Sequence, residues 1–337
     1  MSDPVLEVRD LRVEIPLTRG TVRAVDGSSF TVGAGEAMGL VGESGSGKSM
    51  TLRAILGLLP HPAGIVGGEI LYEGTDLVTM PAKKLQDLRG KEISMIFQEP
   101  MTALNPVMRV GDQIAEGPLA HLRMGKSASQ ERALDLMRQV GIPDPARRAR
   151  AFPHELSGGM RQRVMIAIAL SCEPRLILCD EPTTALDVTI QDQILKLLRS
   201  LREERGLSVV FVTHDLAVVA QTCQRLAVMY AGQVVETGSI DETFRSPRHP
   251  YTLGLLRSVP DLEDVRDLLR SIPGTPPDPV HPPEGCRFAP RCRHVVAKCR
   301  SWDTELIGAG DGRHAARCWR QEEIQRELAD ETGRSSE

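Results

Sequence analysis

Gly42-Glu43-Ser44-Gly45-Ser46-Gly47-Lys48-Ser49 is the stretch on which the reading of this chain turns. Before it runs Ala37–Val41, short and apolar in the manner of a buried strand. After it come Leu52, Ile55, Leu56 and Leu59, spaced as one face of a helix that stops at Pro60. Strand, glycine-rich loop and helix form the context in which G-x-x-x-x-G-K-[ST] holds phosphates. The glycines let backbone N–H groups curl around phosphate oxygens at the positive end of the helix. Lys48 supplies a compact positive charge and Ser49 a hydroxyl ligand for Mg²⁺. The residues expected to touch a nucleotide are therefore Gly42, Glu43, Ser44, Gly45, Ser46, Gly47, Lys48, Ser49 and Met50.

Two further stretches fit that loop. Leu176-Ile177-Leu178-Cys179-Asp180-Glu181 reads as an apolar strand delivering two carboxylates at its C-terminal end, where open α/β sheets bind their ligands. Asp180 is expected to hold Mg²⁺ through its hydration shell, and Glu181 to polarise an attacking water. Leu156-Ser157-Gly158-Gly159-Met160 opens a helix with a serine at the capping position. Its N–H groups and helix dipole make a second phosphate-binding surface. One nucleotide has no need of two such surfaces in one chain. Two chains paired head to tail would use both, with Ser157, Gly158 and Gly159 closing over the nucleotide of the other.

The rest of the chain agrees with a mostly parallel sheet covered by helices. The opening alternates as Leu6, Val8 and then Leu11, Val13, Ile15, which reads as β structure with a break at Arg9 and Asp10. From about Ala103 to Arg150 the pattern is helical, ended by Pro143 and Pro145. Next come a helix over Arg161–Leu170, an amphipathic helix through Ile190–Leu201 and a strand over Ser208–Val212. After about Pro260 the texture becomes proline-rich, and the charged end from Arg320 onward reads as a flexible tail. A chain of 337 residues exceeds the size of one core. The expected division is thus residues 1–260, with a helical subdomain at about 100–155, then 261–320, then a tail at 321–337.

Composition narrows the function class. Hydrophobic residues make up 41% and charged residues 26%, as in a globular protein. No stretch approaches the roughly 20 apolar residues of a bilayer-spanning helix, and residues 1–10 lack the pattern of a secretory signal, so a cytoplasmic location is expected. Net charge is -4 with both signs interspersed, which argues against a nucleic-acid partner.

In chain order the phosphate loop, Phe97-Gln98-Glu99-Pro100, the Leu-Ser-Gly-Gly-Met segment, the Asp-Glu pair, Ala185-Leu186-Asp187 and Thr213-His214-Asp215 resemble the motif series of ABC ATPases. The resemblance implies a P-loop NTPase core with an N-terminal antiparallel β region, an inserted helical subdomain and Mg-ATP hydrolysis. By that likeness Gln98 senses the γ-phosphate and joins Ser49 and Asp180 around Mg²⁺. Asp187 communicates across the ATPase dimer, and His214 positions the γ-phosphate and the water. Pro100–Pro106, Asp180–Thr189 and Arg248-His249-Pro250-Tyr251-Thr252 look like the dipeptide, oligopeptide and nickel importer subfamily. That likeness implies a peripheral subunit on the cytoplasmic face of the inner membrane. Its partners would be two membrane-spanning permease subunits, a second and related ATPase chain, and an external substrate-binding protein. Peptide is the expected cargo, with nickel or another small solute as the alternative. A soluble DNA- or ribosome-associated ABC ATPase is the rival from another class, but neither a long coiled-coil insertion nor a fused second cassette is present in the sequence. One departure concerns the base: no Phe, Tyr or Trp precedes Phe30, so adenine is left to Val22, Arg19, Arg23 or an aromatic from elsewhere.

Of seven cysteines, Cys172, Cys179 and Cys223 sit among apolar residues and read as small buried hydrophobes. Cys286, Cys292, Cys299 and Cys318 leave gaps of 5, 6 and 18 residues, wider than the tight pairs of a structural zinc site. Spacing alone leaves a four-iron cluster, Zn²⁺ and unligated thiols open. The resemblance favours [4Fe-4S], because peptide-importer ATPases carry a similar four-cysteine segment holding that cluster.

Overall fold

In the computed structural model, which describes residues 4–184, 186–258, 272–302, 305–308 and 314–334, the opening alternation is one strand, β1 (Leu6–Leu17). The break is a bulge. Asp10 adopts φ 45, and the pairing register shifts between Arg9 and Arg12. A second shift between Arg12 and Val13 restores the register, so the irregularity is matched on the opposing strand, and it moves the buried positions from even numbers (Leu6, Val8) to odd ones (Leu11, Val13) with both runs facing the same side. Opposite the bulge, Gly68 sits at φ 85, and a Cβ there would lie 2.4 Å from the Asp10 carbonyl oxygen.

Two units interleave along the chain. The first comprises Leu6–Thr31, Met38–Val78 and Thr213–Glu337. Here β1 lies between β2 (Gly20–Val32) and an antiparallel β4 (Gly64–Tyr72), with β5 (Thr75–Asp76) beyond. A separate set of strands runs in the order β11 (Ile307–Gly308), β12 (Ala315–Ala316), β10 (Gln233–Ser239), β9 (Arg225–Tyr230), β3 (Ala37–Val41). Every residue of β3 is buried, and it runs parallel to β9. Ala231 and Gly232, at φ 46 and 86, make the two-residue turn from β9 into β10. Helices of this unit are α1 (Lys48–Ile55), α9 (Leu216–Thr222), α10 (Ile240–Arg245), α11 (Pro250–Arg257) and α12 (Gln321–Arg334).

The second unit comprises Met1–Val5, Val32–Ala37 and Thr79–Val212. Its strands β6 (Ile93–Ile96), β7 (Leu176–Asp180) and β8 (Ser208–Thr213) are parallel, with Leu176 opposite both Ile93 and Ser208. Their almost continuous apolar sequences suit burial on both faces. The helices are α2 (Ala82–Leu88), α3 (Pro100–Ala103), α4 (Val110–His121), α5 (Lys126–Gln139), α6 (Pro145–Arg148), α7 (Gly158–Leu170) and α8 (Val188–Arg205). The helical pattern expected from Ala103 to Arg150 is thus broken into several pieces, with α4 and α5 packed on α7. Pro145 starts the short α6 rather than ending a helix, because its fixed φ suits a first helical position.

The charged end is helical over Gln321–Arg334, where Ile324 is buried and Gln325 Nε2 donates to the carbonyls of Ser246 and Pro247. Residues 335–337 and the domain boundary near 260 lie outside the described residues. The Arg248–Thr252 stretch is a structural knot. The N–H groups of Arg248 and His249 each donate at 2.8 Å to the fully buried carboxylate of Glu236, which also meets His314 Nε2 at 2.7 Å. His249 then caps α11, its Nδ1 accepting from the Tyr251 N–H at 3.1 Å. Burial pushes the His249 pKa down to about 3, so the ring stays neutral and can act as that acceptor. Among the described residues no helix is long and apolar enough to cross a membrane.

Candidate active site

The phosphate loop leaves the buried end of β3 and enters α1, as its sequence requires. Three of its glycines take left-handed or otherwise glycine-favouring angles: Gly42 at φ 155, Gly45 at 78 and Gly47 at 106. A Cβ on Gly42 would lie 2.1 Å from the Met229 carbonyl oxygen, and one on Gly47 would lie 2.4 Å from that of Ala24. At Gly45 a Cβ would meet open space, so only there does the loop face outward without steric demand. Lys48 is 5% exposed, and its ammonium donates to the carbonyls of Gly42 (2.7 Å) and Glu43 (2.9 Å) and to Ser46 Oγ (3.3 Å). No side chain caps α1, whose N-cap is Gly47, and a helix N-terminus is where backbone N–H groups and the helix dipole favour an anion. His214 is exposed in this same unit, between β8 and the N-cap of α9, where Asp215 accepts from the Ala217 N–H at 2.8 Å.

The carboxylates and the serine-glycine helix end belong to the second unit. Asp180 closes β7 and is 3% exposed. Glu181 follows at φ 45, a conformation that costs a non-glycine residue on the order of 1 kcal/mol or more and clusters at functional sites. Its N–H donates to the Val212 carbonyl at 3.0 Å, which holds the backbone there. Two donors then orient the carboxylate: Thr184 Oγ1 at 2.8 Å and Gln98 Nε2 at 3.2 Å, both to Oε2. Gln98 and Glu181 are therefore brought together. Ser157 caps α7, its Oγ accepting from the Met160 N–H, with Ser157 and Gly158 exposed. A Cβ on Gly159 would lie 2.9 Å from Ile190 of α8, so this turn is shaped from behind. Asp187 caps α8 through the Ile190 N–H at 2.9 Å and is itself exposed. Ala185, of the motif containing Asp187, lies outside the described residues.

Residues 25–184 match the ABC transporter family, and residues 235–299 match the oligopeptide/dipeptide transporter C-terminal region. The oligopeptide transport ATP-binding protein OppD of Bacillus subtilis (strain 168) is 54% identical over 294 residues, covering 87% of this chain and 82% of the relative. This chain belongs to the peptide-type ABC transporter ATP-binding proteins. A dipeptide transport ATP-binding protein, DppD of Escherichia coli (strain K12), is 47% identical over 92% of this chain and 95% of its own length. Among solved structures, a dimeric ATP-binding cassette in a post-hydrolysis state bound to ADP and Pi has a TM-score of 0.64 at 28% identity, covering 70% of this chain and 98% of that one. As an ABC ATPase the chain is an ATP hydrolase, and enzymes of this kind work on ATP with Mg²⁺.

The match to the oligopeptide/dipeptide transporter C-terminal region takes in Cys286, Cys292 and Cys299, and Cys318 follows it in the chain. Cys286, Cys292, Cys299 and Cys318 all line one cavity, together with His249, Phe288 and Trp302. The space not filled by protein atoms there is about 380 Å³, part of it open to solvent. The Cys286 N–H donates to the Cys299 carbonyl at 2.9 Å, which folds the segment back on itself. Burial and then the charges of the neighbouring cysteines push the thiols up: Cys286 upward, Cys292 to about 11 and Cys318 to about 12. Thiolates here disfavour one another because they share one void, and a cation in that void would reverse the effect. Among the described residues no three His, Cys, Asp or Glu side chains gather tightly enough to hold a single metal ion. Cys172, Cys179 and Cys223 are buried, as their apolar surroundings implied.

Sequence reading missed Thr184 and every contact between the cysteine segment and the phosphate loop. Thr184 carried a local signal, three residues after Glu181. The contacts to the loop carried none. Of the residues considered for adenine, Arg19 and Arg23 are exposed and Val22 is half-buried; the Arg23 N–H donates to the Pro279 carbonyl at 3.2 Å.

Proposed function

We propose that this chain energises uptake of di- or oligopeptides as one ATPase arm of an importer at the cytoplasmic face of the plasma membrane. The 54% identity to an oligopeptide transport ATP-binding protein carries this reading. Its partners are two permease subunits, a second and related ATPase chain, and indirectly an external substrate-binding protein. Residues 1–260 act as the ATPase domain and 261–320 as the C-terminal domain of the peptide-importer type.

In this reading the N–H groups from Gly42 to Met50 and the Lys48 ammonium hold the phosphates, while Ser49, Asp180 and Gln98 serve Mg²⁺. Mg²⁺ held by these residues would supply charge neutralisation at the phosphates. Glu181, oriented by Gln98 and Thr184, polarises the attacking water, and His214 steadies the γ-phosphate. Ser157, Gly158 and Gly159 close over the nucleotide of the partner ATPase, with Asp187 beside that junction. ATP-driven closure, hydrolysis and reopening then drive the permease.

We assign a [4Fe-4S] cluster to Cys286, Cys292, Cys299 and Cys318 on the resemblance to peptide-importer ATPases. Four thiols lining one cavity are the observation from which a shared ligand is argued. Such a cluster would supply cross-linking to a segment poor in apolar residues. Anaerobic purification of the complete complex, with iron, sulfide, zinc and ATPase measured on one sample, tests the pair of assignments. About four irons and four sulfides per chain are expected, with Mg-dependent hydrolysis. Zinc or no metal alongside intact hydrolysis overturns the cluster and leaves the ATPase.

A further inference from the structure

The first variable residue of the phosphate loop is held at every polar group it has. The Glu43 N–H donates to the Tyr251 hydroxyl at 2.9 Å, and its carbonyl accepts from Lys48 Nζ at 2.9 Å and from the Ser46 N–H at 3.2 Å. Its carboxylate accepts two parallel bonds from Arg291, at 2.7 Å from Nη1 and 3.0 Å from Nη2. The Arg291 side chain is 4% exposed and pinned in turn. Its Nε donates to the Pro273 carbonyl at 2.9 Å, Nη2 to that of Ile272 at 3.2 Å and Nη1 to the Tyr230 hydroxyl at 3.3 Å. The guanidinium also lies over the rings of Tyr230 and Phe288.

Arg291 immediately precedes Cys292, and a second arginine, Arg287, immediately follows Cys286. Arg287 donates to the Asp26 carboxylate and to the Ala231 carbonyl. The next residue, Gly232, donates its N–H to the Ser46 carbonyl of the phosphate loop at 2.9 Å. The cysteine segment thus meets the loop at both Glu43 and the Ser46 side.

We propose that Arg291 is a positioning residue for the phosphate loop, so that the cysteine segment helps set the affinity for ATP. Two physical effects combine. Arg291 neutralises an acidic side chain placed in a loop that receives phosphates. By fixing Glu43 it also fixes the carbonyl that holds Lys48. Lysine is a poor replacement, because the contact is a planar two-bond fork.

This inference rests on the nucleotide role of the loop, and Mg-ADP binding to the full-length chain separates the two. No binding by the unaltered chain overturns both. With the unaltered chain binding, Arg291→Ala is expected to weaken Mg-ADP by about tenfold. In the assembled complex it should raise the KM for ATP by a similar factor while kcat changes less than about twofold. Glu43→Gln in the Arg291→Ala background should recover part of the loss, since the unpaired charge is gone. Arg291→Lys, which keeps the charge should alanine fail to fold, is expected to fall between. Unaltered Mg-ADP affinity in a folded Arg291→Ala or Arg291→Lys chain, or strict additivity with Glu43→Gln, contradicts the proposal.

Discussion

Glu181→Gln is expected to lower steady-state ATP hydrolysis by about 10²- to 10⁴-fold while leaving ATP binding intact, the loss typical when a positioned general base is removed. The substitution is nearly isosteric, and an amide oxygen can still accept from Thr184 and Gln98. The backbone hydrogen bond to Val212 that keeps residue 181 at its left-handed angle is also untouched. Only the negative charge that polarises the water disappears. Because closure depends on bound ATP and reopening on its cleavage, the variant should accumulate a closed ATPase pair that elutes as a dimer in ATP and reverts in ADP. Turnover within about tenfold of the unaltered enzyme would remove Glu181 from its role.

Lys48→Ala is expected to act on binding rather than chemistry, weakening ATP by about a hundredfold, or about 2.7 kcal/mol. Its ammonium is buried in the loop and held by the Gly42 and Glu43 carbonyls and Ser46 Oγ. Alanine removes the fixed cation that faces the phosphates and leaves those buried acceptors without their donor. The helix should survive, because Leu52 and Ile55 of α1 remain fully buried. Calorimetric titration of the full chain reads this directly. An ATP affinity within about threefold of the unaltered chain would contradict the phosphate role of the loop. The two variants separate the functions of the two sets of residues, one losing affinity and the other turnover.

Legibility in the sequence tracks the range of the interactions. Gly42, Gly45 and Gly47 were legible because each positive φ is a demand on one residue, and the strand and helix around them are local patterns. The shift from even to odd buried positions in β1 was legible for the same reason, although only the fold identifies it as a bulge. Glu43 and Arg291 lie 248 positions apart, and no spacing or periodicity connects them. Glu236, His249 and His314 are similar: each is an ordinary polar residue until the fold buries all three together. Helix α12 was hidden by its charge, since Ile324 is the buried apolar anchor that its described side chains provide. The cysteine spacing could not choose a ligand because the fold, through the Cys286–Cys299 backbone bond, gathers thiols that are scattered in sequence around one cavity.

The most direct test of the account is uptake of a labelled peptide into vesicles carrying the complete complex, with the external binding protein on one side and Mg-ATP on the side of this chain. The account predicts accumulation that requires ATP and is abolished when this chain carries Glu181→Gln. Accumulation that continues with Glu181→Gln, or ATP hydrolysis that no peptide-loaded binding protein stimulates and no peptide accompanies, would contradict it.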